Sequence, residues 1–245
     1  MMRHLDLFSG IGGFALAAKW AGFETIAFCE IEEFARQVLK KNFPGVPIHN
    51  DIREFDGNEY AGRIDLLTGG YPCQPFSHAG KRKGKEDDRH LWPEMLRVIK
   101  QTRPAWVVAE NVAGHITLGL DKVLTDLECE GYSARAVVIP ACAIGANHRR
   151  DRVWIIAHSA SNRQQGNERS IKAQEQNHRP PETLGAWHWG RGAFANWEER
   201  MGQSELCRMD DGVSSTVDIR PRLHAYGNAV IPQVAYQILR CVAAH

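Results

Sequence analysis

The strongest constraint on this fold is the alternation of short β-rich runs with helical stretches over the first 157 residues. Strand-like segments fall at His4–Phe8, Thr25–Cys29, Ile64–Thr68, Ala105–Ala109, Ala134–Ile139 and Arg152–Ala157. Between them, Phe14–Ala21, Glu32–Asn42, Leu91–Gln101 and Thr117–Glu130 repeat apolar residues every three or four positions, the period of a helix with one buried face. Strands separated by such helices predict βαβ units and an α/β fold with a mostly parallel sheet covered on both faces. A helical pattern returns at Val230–Val242 after a Gly-Asn turn, so the chain is expected to rejoin this first unit. The predicted division is a catalytic and cofactor-binding domain of residues 1–157 plus 221–245, with a small irregular lobe at 158–220.

Composition excludes several classes. A chain of 245 residues with 30 Lys+Arg against 29 Asp+Glu is neither a disordered tail nor a globally basic nucleic-acid coat. Nucleic-acid contact would have to come from local patches. The run Leu7–Ala18 is interrupted by three glycines and preceded by Asp6, which argues against an export signal. The six cysteines form no CxxC pair and no metal-like spacing with histidine, so reduced thiols, a cytoplasmic location and no metal site are expected. After His158 the composition turns to Asn, Gln, Ser, Gly, Trp and Arg. Lys172 is the single lysine among the basic residues after Ala157. Arginine beside Trp187, Trp189 and Trp197 suits stacking and bidentate contacts, although a flexible insertion would read the same way.

Four motifs carry chemistry. DLFSGIGGF (Asp6–Phe14) leaves a strand and opens a helix; its glycines allow close backbone approach and its helix N-terminus offers N–H groups to an anion. Glu30, after the second strand, can grip ribose hydroxyls, and Asp51, after the expected third strand, can meet a nucleobase edge. The spacing is not GxGxxG, so a dinucleotide fits less well than S-adenosylmethionine. GGYPCQPFS (Gly69–Ser77) exposes Cys73 in an irregular loop at the carboxyl edge of the sheet, a place for a nucleophile. The following His78–His90 segment is rich in charge and could be a phosphate-contacting lid or a solvated loop. AENV (Ala109–Val112) puts Glu110 at the same edge. In NHRRDRVWIIA (Asn147–Ala157), Arg150 and Arg152 are expected to share one face of the last strand, reaching one site or pairing with Glu110 or Asp151.

In this order and spacing, the motifs resemble those of the DNA (cytosine-5)-methyltransferase family. ELCRMDDG (Glu205–Gly212) and YGNAVIPQVA (Tyr226–Ala235) extend the match, leaving some fifty residues unmatched. The resemblance implies a Rossmann-like S-adenosylmethionine-dependent methyltransferase sheet with a small target-recognition lobe. It implies a monomer that acts on double-stranded DNA without a membrane or an obligatory protein partner, as in restriction-modification systems. Cys73 would attack C6 of a flipped-out cytosine, Glu110 would hold N3 and the exocyclic amine, Arg152 would contact O2, and Arg150 would support the catalytic loop. Phe8, Ser9, Gly10, Gly12, Gly13, Glu30, Ile31, Asp51, Ile52, Pro72, Asn228 and Ala229 would bind the cofactor. Gln74, Ser77, Lys81, Arg82, Lys83 and Arg89 would contact nucleic acid. One branch of the family methylates tRNA, and a catalytically idle nucleic-acid-binding protein is the reading from another class. This sequence departs from the family pattern in three places. His148 stands where Gln is usual, the Glu205–Gly212 motif is degenerate, and His158–Ser204 is short for a recognition domain, which implies specificity that is relaxed or limited to very few bases.

Overall fold

The computed structural model describes residues 1–72, 91–144, 149–159 and 229–244. Seven strands form one sheet: β1 (Met2–Leu7), β2 (Phe23–Cys29), β3 (Ile48–His49), β4 (Leu66–Gly69), β5 (Trp106–Val112), β6 (Tyr132–Pro140) and β7 (Asp151–Ser159). The helices are α1 (Gly13–Trp20), α2 (Glu33–Asn42), α3 (Trp92–Thr102), α4 (His115–Leu118), α5 (Leu120–Cys129) and α6 (Pro232–Ala243). The strand order is β3-β2-β1-β4-β5-β7-β6. From β1 the chain winds outward through β2 to β3, then returns to the other side of β1 to lay down β4 and β5. The order therefore reverses between β1 and β4, and the loops leaving their carboxyl ends diverge to open a crevice.

The expected α/β class and parallel core are present: β1 pairs in parallel with β2 and β4, β2 with β3, and β4 with β5. The far side supplies the antiparallel part of this mostly parallel sheet. Strand β7 runs antiparallel to both β5 and β6. The cause lies in the connection: residues 141–150 are too few for a helical crossover, so β6 must turn back on itself into β7.

Strand alternation sorts the core into two layers. Leu5 and Leu7 face a cluster containing Met95, Val98 and Ile99 of α3 and Val123 and Leu127 of α5. Leu66, Val108 and Trp154 face the opposite cluster, in which Phe14, Ala17 and Ala18 of α1 meet Val234, Ala235, Ile238 and Leu239 of α6. A third cluster seats Leu39 of α2 on Phe28 and Ala15. The predicted return of the chain at Val230–Val242 thus appears as α6, packed on α1. The single helix expected at Thr117–Glu130 is two, because the backbone is extended at Gly119 (φ 165°) and breaks α4 from α5. Among the described residues, no helix is long and apolar enough to cross a membrane.

Candidate active site

The loop after β1 turns on backbone conformations that few side chains tolerate. Phe8, Gly10 and Gly12 all have positive φ, at 52°, 52° and 90°. For Phe8 this is a strained position, worth about 1–3 kcal/mol, which the surrounding bonds must hold. Ser9 does so directly: its hydroxyl donates to the Asp6 carbonyl at 2.7 Å, and its N–H donates to the Cys29 carbonyl at 3.2 Å. Gly13 is required for a different reason. A Cβ there would lie 2.6 Å from the Val230 carbonyl oxygen, so the segment entering α6 can approach only a glycine.

Glu30 ties this loop to the end of β2. Its carboxylate accepts from the Gly10 N–H at 2.6 Å and from the Glu32 N–H at 2.8 Å. Burial raises the Glu30 pKa, and the two backbone donors oppose that rise. Beyond it lie Ile31, an exposed apolar side chain (61% accessible), and the Asp51–Ile52 turn. Asp51 accepts from the Arg53 N–H at 2.9 Å, while Ile52 is buried and its carbonyl accepts from Arg97 at 2.6 Å. Predicted residues Phe8 to Gly13, Glu30, Ile31, Asp51 and Ile52 therefore line one side of the β1 carboxyl edge.

Beneath the loop runs a buried polar chain whose partners no local sequence pattern indicates. The Thr68 hydroxyl donates to the Asp6 carboxyl at 2.6 Å. His4 lies 2.7 Å from that hydroxyl and 2.9 Å from the hydroxyl of Thr25. These contacts cross β2, β1 and β4. Burial drives the His4 pKa down to about 3 and the Asp6 pKa up to about 8, so both are neutral near pH 7. Among the described residues, the second Asp6 carboxyl oxygen has no hydrogen-bond partner. Polar residues alternating with Leu5 and Leu7 were the available signal, since one face of β1 should otherwise be apolar.

The second half of the site is built on β5 and β7. Glu110 is buried inside β5, directly opposite Trp154 of β7, and its carboxylate pairs with Arg152 Nε at 2.8 Å. Burial raises the Glu110 pKa; Arg152 and Arg150 act in the lowering direction. Arg150 differs from expectation: it precedes β7 and has positive φ (35°), so the two arginines do not share a strand face. The short β6–β7 connection must reverse there, and Arg150 sits in the reversal. Its guanidinium donates to the Ala229 carbonyl at 2.9 Å. Both arginines nevertheless line, with Glu110, Trp154, Ile231 and Val234, a cavity of about 10 Å³, room for no more than one water. A Cβ on Gly70 would sit 3.6 Å from the Glu110 carboxylate. The acid therefore faces the segment that runs from β4 toward residue 73.

Pro72 is exposed at the end of that segment, and Ala229 leads into α6. Cys73, Gln74, Ser77, Lys81, Arg82, Lys83, Arg89, His148 and Asn228 lie outside the described residues, as does nearly all of the 158–220 lobe. The described cysteines Cys29, Cys129, Cys142 and Cys241 are free thiols, and no cluster of His, Cys, Asp and Glu suited to a metal occurs among the described residues.

The strand order reverses between a glycine turn clasped by Glu30 and a second acid, Glu110, paired with arginine, which is the crevice arrangement in which open α/β sheets bind ligands. Residues 2–199 match the family model described as C-5 cytosine-specific DNA methylase, and the chain belongs to that family. It is similar to the Type II methyltransferase M.NgoMIV of Neisseria gonorrhoeae, 36% identical over 208 residues, covering 79% of this chain and 62% of the relative. It is also similar to the Type II methyltransferase M.PspPI of Psychrobacter sp., 46% identical over 166 residues, covering 62% of this chain and 38% of the relative. The matched stretch thus spans less than two thirds of these relatives' lengths. Among solved structures, a DNA modification methyltransferase encoded within an E. coli prophage aligns with a TM-score of 0.58 at 27% identity, over 66% of this chain and 48% of that one.

The residues present fit S-adenosylmethionine. Glu30 keeps acceptor capacity for ribose hydroxyls after its two backbone bonds, exposed Ile31 offers an apolar cover for a purine, and the α1 N-terminus suits a carboxylate.

Proposed function

We propose that this chain is a DNA cytosine-C5 methyltransferase that works through a covalent bond between Cys73 and the target base. The observation that carries the reading is the buried Glu110–Arg152 pair facing Gly70, three residues before Cys73. Cytosine C5 is a poor nucleophile, so attack at C6 must come first. The Cys73 thiolate forms the S–C6 bond and pushes electron density to C5. Glu110, whose burial favours its protonated form, shares a proton with N3 and accepts from the exocyclic amine. Arg152 holds Glu110 and contacts O2; Arg150, anchored on Ala229, fixes the turn that presents Arg152.

S-adenosylmethionine, when bound, supplies the methyl group. Glu30, Asp51 and Ile52 would hold its nucleoside part, and Phe8 to Gly13 would hold the remainder. After transfer the donor would leave as S-adenosylhomocysteine. A water molecule takes the C5 proton, the freed electron pair re-forms the C5=C6 bond as the S–C6 bond breaks and returns the thiolate, and N3 gives its proton back to Glu110. A stacked base cannot reach Glu110, so the cytosine is flipped out of the duplex. Gln74, Ser77, Lys81, Arg82, Lys83 and Arg89 contact the nucleic acid, and residues 158–220 read its sequence.

Incubation with labelled S-adenosylmethionine and either plasmid DNA or tRNA tests the reading. Label on cytosine C5 in DNA is expected; label on tRNA alone moves the substrate to RNA, and none on either overturns the activity. Cys73→Ser should bind the cofactor and transfer nothing, and retained turnover would remove the nucleophile assignment.

A further inference from the structure

Tyr71, after β4, and Trp92, the first residue of α3, pack their rings on each other with centroids 5.2 Å apart. Each is separately anchored. The Tyr71 hydroxyl lies 2.8 Å from His115 Nε2 of α4, with the two rings edge to face at 5.5 Å. Trp92 Nε1 donates to Asp126 of α5 at 2.9 Å. The Tyr71 main chain is held as well: Asn111 donates from Nδ2 to its carbonyl at 3.1 Å, and the Asn111 oxygen accepts from the Val112 N–H at 2.8 Å. Tyr71, Trp92, Asn111 and His115 are all buried. Gly119 leaves room for the imidazole, since a Cβ there would lie 3.3 Å from His115 Cε1.

The tyrosine and the histidine are both buried polar groups that would be costly to leave unpaired. What they fix is the direction of the backbone at Tyr71, two residues before the proposed nucleophile. We infer that Tyr71 and His115 are positioning residues for the methyl-transfer reaction. Resting on the reading of Cys73 as nucleophile, they form with Trp92 a clamp that sets where the thiol meets C6. A covalent attack tolerates little misplacement, and an error of about 1 Å can cost on the order of 100-fold in rate. Asn111 extends the same clamp to β5, so the acid at Glu110 and the backbone leading to Cys73 are referenced to one strand.

The test uses the full chain with three substitutions: Tyr71→Phe, which keeps the ring and removes the hydroxyl; His115→Leu; and His115→Gln, which retains a hydrogen-bonding group. The deciding measurement is the rate of iodoacetamide alkylation at Cys73, read by peptide mass spectrometry, beside single-turnover methylation of plasmid DNA and the cofactor dissociation constant. Tyr71→Phe and His115→Leu should change the alkylation rate at least about threefold and slow single turnover about tenfold or more, with cofactor affinity held within about twofold. His115→Gln should recover part of the loss, which also covers the case in which the leucine variant fails to fold. Alkylation within about twofold of the parent in both Tyr71→Phe and His115→Leu overturns the inference, as does a loss of cofactor affinity as large as the loss of rate. Should the parent itself label no cytosine, the proposed function falls, while the alkylation comparison still decides whether the clamp positions Cys73.

Discussion

Burial raises the Glu110 carboxyl above its ordinary range, and Arg152 at 2.8 Å acts against that rise. A residue that shares a proton with N3 loses that ability once ionised. Turnover governed by Glu110 should therefore decline as pH rises through its raised pKa, and Arg152→Ala, by removing the opposing charge, should move that decline to higher pH. A pH profile of single-turnover rate for the two proteins checks this; an unmoved alkaline limb would separate Arg152 from the ionisation. Glu110→Gln should cost about 100-fold or more in rate, within the range of positioned acid–base groups, while leaving cofactor binding intact. Glu110 was legible in the sequence because an acid within an apolar strand has few structural uses. Tyr71 and His115 were not, because 44 residues separate them and no spacing rule connects a tyrosine after β4 to a histidine on α4.

At the scale of elements, the start of α1 and the approach to α6 meet through a contact that only glycine permits. Gly13→Ala places a methyl group against the Val230 carbonyl, 2.6 Å away, so either α1 or the α6 approach must shift. The expected outcome is weaker S-adenosylmethionine binding with the helices still formed, measured by titration calorimetry and circular dichroism; affinity within about twofold of the parent would show that the loop absorbs the methyl group. Leu239→Ala, fully buried between α6 and the sheet, should lower stability by about 2–5 kcal/mol in urea unfolding. The helical and parallel-strand pattern was readable because hydrophobic period depends on local sequence. The direction of β7 was readable only indirectly, through the shortness of residues 141–150. The break at Gly119 and the left-handed turn at Arg150 depend on what the chain must meet in space, which period does not encode.

For the whole molecule, the buried chain through His4 and Asp6 makes stability depend on pH in two opposing senses. The His4 pKa falls from 6.5 to about 3 on folding, so its contribution is present above about 6.5 and is lost as pH falls toward 3. The Asp6 pKa rises from 3.8 to about 8, so its contribution is fully present below about 3.8 and is lost as pH rises through 8. Asp6→Asn should therefore compare more favourably with the parent at pH 8.5 than at pH 5, read as urea midpoints at both values. An identical difference at the two pH values would show that Asp6 does not titrate in this window.

The packing of α6 on α1 has a consequence for biosynthesis. Phe14, Ala17 and Ala18 emerge from the ribosome with the first strand, but Val234, Ile238 and Leu239, which cover them, follow only after everything from Met1 to Ser159 has been made. Until then this face of the nascent sheet lacks its apolar cover, a surface of the kind that chaperones bind and that aggregates when translation stalls. The same delay acts as a timer: Val230 cannot close on Gly13, nor Ala229 receive Arg150, before the late segment has arrived. A nascent chain can therefore hold its motifs in order without yet having an assembled site.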